Sequence, residues 1–389
     1  MKIIFVLYHD FKSNSALHVY HYANALVKIG HSVTVAVPFG KDSCKEVGLT
    51  PLFSIALFDD LLFGQNDDID IIHVWTPREI VRKFSLNLRG RCRNAQLIIH
   101  LEDNEESILK QTFGVNRIED IPDDQHIPGH LSHPVYYKEF LSVCDGVTIL
   151  MDTLSEFVPK NIQPQMIWPI IDVSKFNLNI DSSKFSKKYN IGEGDFVIAY
   201  IGNVHPANYK EVRSLYLAVA LAHRQGIPIK LLRTGVDHYD FFEDRSRWDS
   251  TPFVELGFVS YEEIPIILNL ADALIQPGEP NSFNDYRLPS KVPEFLMTGK
   301  PVILPHTNLA KYMKENVEAI FLKKGDALEI LSKIRLLLSE RESGKAIGKN
   351  GLNFAKKNFD EKENALKLSD YYQALITNKL KQDELSKTA

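Results

Sequence analysis

Cysteine is scarce in this chain: Cys44, Cys92 and Cys144 are the only three in 389 residues, far apart and in no CxxC pair. That usage excludes a disulfide framework or a structural zinc site as an organising device, and it suits a reducing cytoplasm. Long apolar runs are missing too. The opening MKIIFVLYHDF holds an apolar run of six residues that ends before His9 and Asp10, with no small-residue cleavage site, which makes a poor signal peptide. No stretch approaches the roughly 18 apolar residues of a membrane span, so any membrane contact is expected from the surface alone. There is no basic excess: the formal charge is -5, which argues against a nucleic-acid partner. Short repeats, coiled-coil heptads and low-complexity tracts are also lacking.

What is present is the composition of a folded globular protein, 44% hydrophobic and 24% charged, at a length that calls for two domains. Lys2 to Tyr8 is a β-branched apolar run without polar alternation, the pattern of a strand buried on both faces. A helix over Ala16 to Lys28, stopped by Gly30, leads to a strand at Ser32 to Val37. The alternation continues with strands at Ile69 to Val74, Gln96 to Leu101, Gly146 to Leu150 and Gln165 to Trp168, and helices from Pro77 and over Pro134 to Val143. After a linker between Pro169 and Ser186 it restarts, with strands at Phe196 to Ile201, Ile229 to Arg233, Phe253 to Leu256, Ala273 to Gln276 and Pro301 to Leu304. Helices are expected over Glu211 to Ala222 and from near Tyr261, Ser290 and Asn308. The reading is two doubly wound α/β domains, 1–170 and 171–359, with a tail helix from residue 360 that docks through Ala365, Leu368, Tyr372 and Leu375.

In such sheets ligands sit beyond the carboxyl ends of the strands. The most informative loop runs from Gly278 to Ile303. Ser290 is placed to cap a helix reaching Thr298, whose first amides, with Arg287 and Lys291, make a diphosphate cradle. Glu294, one turn on, either accepts two ribose hydroxyls or is an ordinary first-turn acid.

At these residues the chain resembles a family 4 glycosyltransferase of the GT-B fold class, also called group 1. Glu294 and Thr298-Gly299-Lys300-Pro301-Val302 match the end of that family's two-acid motif. Gly30-His31-Ser32-Val33-Thr34-Val35, Asp70-Ile71-Ile72-His73, Pro169-Ile170-Ile171-Asp172 with Phe176, Tyr200-Ile201-Gly202-Asn203 and the segment Phe359 to Tyr372 resemble further family motifs in the family's order. The resemblance implies two facing Rossmann-like domains with a C-terminal helix (360–389) crossing back. The N-terminal domain takes the acceptor and the C-terminal domain takes the nucleotide-sugar donor.

The chain also departs from the family. Eight positions before Glu294 stands Tyr286 instead of the first acid, leaving Asp285 or Glu279 to replace it, with Asp285 preferred. Asn203 replaces a common phosphate-loop arginine, so Lys210, Arg287 and Lys291 are the candidate cations. Ser13-Asn14-Ser15-Ala16 replaces a Gly-Gly loop, and Ser15 is assigned to the donor side. His100 occupies the position of a histidine that faces the donor sugar, and it opens an acidic loop in which Glu102 and Asp103 are the acceptor-side candidates. Trp75 is either a sugar-stacking platform or a core residue. The basic run Arg78, Arg82, Lys83, Arg89, Arg91 and Arg93 is either a solvated helix face or a peripheral contact with an anionic membrane at the inner face. Asp68-Ile69-Asp70 is read as a turn, and no metal or resident cofactor is implied.

The function implied is retaining transfer of a hexose from a nucleotide-diphosphate sugar, the co-substrate, to a glycan, lipid-linked or small-molecule hydroxyl, as in polysaccharide biosynthesis. The alternatives are a sugar-nucleotide epimerase of the same fold or a non-catalytic nucleotide-sugar-binding protein.

Overall fold

The computed structural model describes residues 1–64, 68–171, 176, 183–241 and 251–388. Asp172 of the Pro-Ile-Ile-Asp motif and most of the expected linker lie outside them. The chain divides into two compact units, Met1–Ile171 with Asp360–Ala389, and Asp172–Phe359.

The first unit contains strands β1 (Lys2–Leu7), β2 (Ser32–Val37), β3 (Ser54–Leu57), β4 (Ile71–Trp75), β5 (Gln96–Leu101), β6 (Gly146–Ile149) and β7 (Gln165–Met166). They form one parallel sheet in the order β3-β2-β1-β4-β5-β6-β7. β4 and β5 are buried along their whole length, and β1 after its first residue, as apolar strands covered by helices on both faces must be. The helix Asn14–Lys28 packs on the sheet through Ala16, Val19, Tyr22, Ala23 and Leu26. Beside it lies the C-terminal helix Glu361–Thr388, which buries Ala365, Leu368 and Tyr372 completely and packs Leu375 against the same core.

The second unit contains β8 (Phe196–Ile201), β9 (Ile229–Thr234), β10 (Phe253–Glu255), β11 (Ala273–Ile275), β12 (Val302–Pro305) and β13 (Ile320–Leu322). Their order is β10-β9-β8-β11-β12-β13, again all parallel. In each sheet the first strand lies inside and the winding reverses beside it, between β1 and β4 and between β8 and β11. The carboxyl ends at such a reversal are where ligands bind in open α/β sheets.

Several expectations are adjusted. The helix expected from Asn308 is a short 3-10 turn, Asn308–Tyr312, entered through Asn308 at φ 42. The helix expected from Pro77 starts at Glu79, and its first amides are taken: Glu79 and Ile80 donate to the carbonyls of Leu131 and Gly129 at 2.8 and 2.9 Å. Strands β3 and β13 and the helices Ala327–Ser339 and Arg341–Asn358 were not expected. Asp68 and Asp70 form a turn before β4, pairing with the Lys2 ammonium (3.1 Å) and accepting its backbone N–H (2.7 Å) respectively.

Candidate functional site

In the second unit the chain leaves β8 through Gly202 and Asn203. A Cβ built on Gly202 would lie 2.8 Å from Tyr200 Oη and would collide with Lys291 Nζ, so this loop and the start of the helix Lys291–Met297 are in contact. Gly235, after β9, is at φ 106, and a Cβ there would be 2.8 Å from Asn203 N and inside the Gly202 carbonyl. Only glycine permits that approach. Beneath the loop Arg233, 2% exposed, donates to Asp237 at 2.5 Å and reaches Glu255 at 3.3 Å. Asn203 spends its side chain on the same loop: Oδ1 accepts from Val236 N at 2.8 Å. It is a brace and supplies no replacement charge.

Lys291 has no carboxylate partner at ion-pair distance among the described residues. Burial pushes its ammonium down to about 8, with Arg287 and Arg233 adding to the shift and Glu294 opposing it. Its Nζ lies 5.1 Å above the Tyr200 ring. Tyr200 is fully buried, its hydroxyl has no hydrogen-bond partner among the described residues, and burial raises it to about 12. Arg287 stacks on Phe283 at 4.3 Å and donates from Nε to Asn284 Oδ1 at 3.0 Å. Its terminal nitrogens make no hydrogen bond among the described residues. Asn284 in turn donates to Glu211 Oε1 at 2.7 Å and to the Glu279 carbonyl at 2.9 Å. Glu211 is raised by burial, against the pull of Asn284 and Arg287.

The expected site residues therefore separate. Gly202, Arg287, Lys291 and Glu294 come together; Glu294 is buried and accepts from Tyr261 Oη at 2.9 Å. Lys210 is exposed on the first turn of the helix Tyr209–Arg224, while its neighbour Glu211 turns inward to Asn284. Ser290 stands before the helix Lys291–Met297, but its backbone is α-helical and its hydroxyl makes no cap bond, so the expected side-chain cap is not formed. Asp285 is not a spare carboxylate: it accepts from Thr307 and pairs with Lys311 at 3.3 Å. Glu279, the other acid considered, is exposed. Arg233, Glu211 and Asn284 were not anticipated. A lone Arg on a strand and a Glu after a Lys carry no spacing signal. The segment Leu256 to Val259 borders an open cavity of about 650 Å³ along the edge strand β10.

In the first unit the loops after β1, β4 and β5 gather a second group. Ser15, in the first turn of its helix, donates to Glu102, and His18 Nδ1 lies 3.6 Å from the same carboxyl. Burial raises Glu102, with Ser15 and Arg78 opposing, and burial drives His18 down to about 4. Asp103 is partly exposed beside them and acts electrostatically on His18 and Arg78. Arg78 lies 3.9 Å over the Tyr8 ring and 3.5 Å from Glu105. Trp75 corrects the sugar-platform reading: it is 1% exposed, its ring lies 3.9 Å from that of His100, and Phe5 and Tyr22 flank it, so it belongs to the core. His100 is fully buried and neutral, lowered by burial and then by His73 and His18. The basic run is largely neutralised, because Arg82 and Lys83 pair with Glu79, Arg89 with Asp145 and Arg78 with Glu105. Among the described residues of this run, Arg91 and Arg93 have no ion-pair partner.

Three solved structures place the architecture. HepE of Anabaena in complex with UDP and glucose is 13% identical, with a TM-score of 0.73 over 96% of this chain and 99% of that one. A glycosyltransferase of Rickettsia africae is 15% identical, with a TM-score of 0.70 over 97% and 99%. The sucrose-phosphate synthase of Thermosynechococcus elongatus is 15% identical, with a TM-score of 0.69 over 97% and 100%. The fold is thus that of the GT-B glycosyltransferases, as the sequence led us to expect. Residues 195–340, most of the second unit, match the family described as glycosyl transferases group 1, and the enzyme class is that of a glycosyltransferase. No curated protein sequence matches the chain.

Proposed function

We propose that this glycosyltransferase moves a hexose from a nucleotide-diphosphate sugar, with uridine the base to test first, to an acceptor hydroxyl with retention of configuration. The observation that carries the reading is Lys291. A half-buried ammonium with no carboxylate partner at ion-pair distance among the described residues, beside Arg287, at the carboxyl end of β8, is poised for an anion. Arg287 and Lys291 take the diphosphate together with the amides near Gly202 and Ser290. Asn203 shapes the loop, and Lys210 lies at the rim. Glu294 takes the ribose. In the first unit Glu102, held by Ser15, and Asp103 serve the glycan, lipid-linked or small-molecule acceptor, while His100, expected to face the donor sugar, is fully buried.

In a retaining transfer the sugar ring gathers positive charge while the departing diphosphate gathers negative charge. Fixed cations aimed at that leaving group stabilise the transition state more than the ground state. The UDP and UDP-glucose complexes of HepE support a uridine donor. Among the described residues no helix is long and apolar enough to cross a membrane. Three buried cysteines held as thiols, not disulfides, support a cytoplasmic enzyme.

The test is to incubate the chain with UDP-hexoses, with and without candidate acceptors, and to follow UDP release and the anomer first formed by NMR. Retention is the expected outcome. Inversion would overturn the stereochemical assignment, and binding without release from any donor would favour the non-catalytic reading.

A further inference from the structure

Four buried polar groups form one line through the first unit. Tyr372 Oη, on the C-terminal helix, lies 2.6 Å from His73 Nδ1 on β4. His73 Nε2 lies 2.9 Å from Thr148 Oγ1 on β6, and the same oxygen lies 2.9 Å from His100 Nδ1 on β5. All four residues are fully buried, and His100 Nε2 has no hydrogen-bond partner among the described residues.

Thr148 has one hydroxyl proton to give and two lone pairs to accept with; accepting from both imidazoles would leave its own proton and the His100 Nε2 lone pair unpaired, and otherwise the line runs in one of two directions. In the first, Tyr372 donates to His73 Nδ1, His73 Nε2–H donates to Thr148, and Thr148 donates to His100 Nδ1; one group, His100 Nε2–H, is left unpaired. In the second, His100 Nδ1–H donates to Thr148, Thr148 to His73 Nε2, and His73 Nδ1–H to the Tyr372 oxygen. That direction leaves two groups unpaired, the Tyr372 hydroxyl proton and the His100 Nε2 lone pair. An extra unpaired buried group costs about 1 to 3 kcal/mol, a bias of about fivefold or more toward the first direction.

We infer that Tyr372 is a positioning residue which, through His73 and Thr148, fixes the proton of His100 on Nε2. His100 then offers an N–H donor and has no basic lone pair on its unpaired side. The significance rests on the functional reading above: in the unit that takes the acceptor, His100 presents a hydrogen-bond donor and no general base. The tautomer itself does not depend on that reading, because it is measured without nucleotide or turnover.

The experiment is long-range proton–nitrogen NMR of the full chain labelled with ¹⁵N-histidine. Thirteen histidines require assignment, made by loss of signals in His73→Gln and His100→Gln. In the wild type both His73 and His100 should show the Nε2–H pattern alone. Tyr372→Phe removes the proton that sets the direction and leaves both directions with two unpaired groups, so His100 should show both tautomers. If that variant does not fold, Thr148→Val, which cuts the line while keeping Tyr372 on His73, should give a single Nε2–H tautomer at His73 and a mixture at His100. A wild-type His100 with its proton on Nδ1, or carrying two protons at neutral pH, would overturn the inference. So would an unchanged single tautomer in Tyr372→Phe or Thr148→Val.

Discussion

The Tyr372 hydroxyl, carried by the last helix of the chain, sits 2.6 Å from Nδ1 of His73 in the middle of the first unit's sheet. The two residues are 299 positions apart in sequence, and their bond ties the C-terminal helix to β4. Replacing Tyr372 by Phe keeps the ring and strands His73 Nδ1 in a dry core, so the chain should lose about 1 to 2 kcal/mol. Urea unfolding at neutral pH reads that loss directly.

Acid should unfold the protein through its buried histidines. Burial holds His18 at about 4 and His73 at about 3, and His100 well below its ordinary value. A base whose pKa is depressed by folding binds fewer protons folded than unfolded. Its stabilising contribution is complete above the unfolded value near 6.5 and disappears as pH falls toward the folded one. The three together should give a slope of up to about 4 kcal/mol per pH unit below pH 6. His18→Gln should remove about a third of it, measured by urea midpoints between pH 4 and 7.

Lys291 sets function against stability. Folding depresses its ammonium to about 8, so folding of the free protein is opposed by the charge. Lys291→Met should raise the melting temperature by a few degrees while weakening nucleoside diphosphate binding about tenfold. In the wild type, affinity for UDP should fall as pH rises through 8, and the Met variant should lose that dependence. Calorimetric titration from pH 7 to 9 checks both.

Glu211 should matter through Arg287. The bonds from Asn284 to Glu211 at 2.7 Å and from Arg287 Nε to Asn284 at 3.0 Å hold the guanidinium from behind. Glu211→Ala should therefore weaken UDP more than UMP, and Glu211→Gln, which keeps an acceptor oxygen, should restore most of the difference. If Arg287 is the route, Glu211→Ala should add little in an Arg287→Ala background.

The apolar runs announced most of the sheet strands, because a strand buried on both faces has no polar positions to blur it. β2, β5 and β8 have the expected ends. β3 was missed because Ser54–Leu57 is a short edge strand, exposed at its first residue and only half-buried beyond it; β13 is as short and as buried as β11, which was expected, and length does not separate them. At the site, Arg287, Lys291 and Glu294 were legible through their spacing around one helix start. Glu211, Asn284 and Arg233 were not, because their meeting depends on how separate loops fold together. Trp75 was read either as a sugar platform or as a core residue, and parallel pairing of β4 with β5 decides for the core by setting it against His100.

The central claim is that the second unit binds a nucleoside diphosphate at the carboxyl ends of β8 and β11 through Arg287 and Lys291. Isothermal titration of UDP and UMP into the wild type, Arg287→Ala and Lys291→Ala tests it most directly. The account predicts UDP binding that each variant weakens about tenfold, the size of one lost charge-assisted contact, with UMP affected less. Absence of binding by UDP, GDP, ADP and dTDP, or UDP binding indifferent to both substitutions, would contradict it.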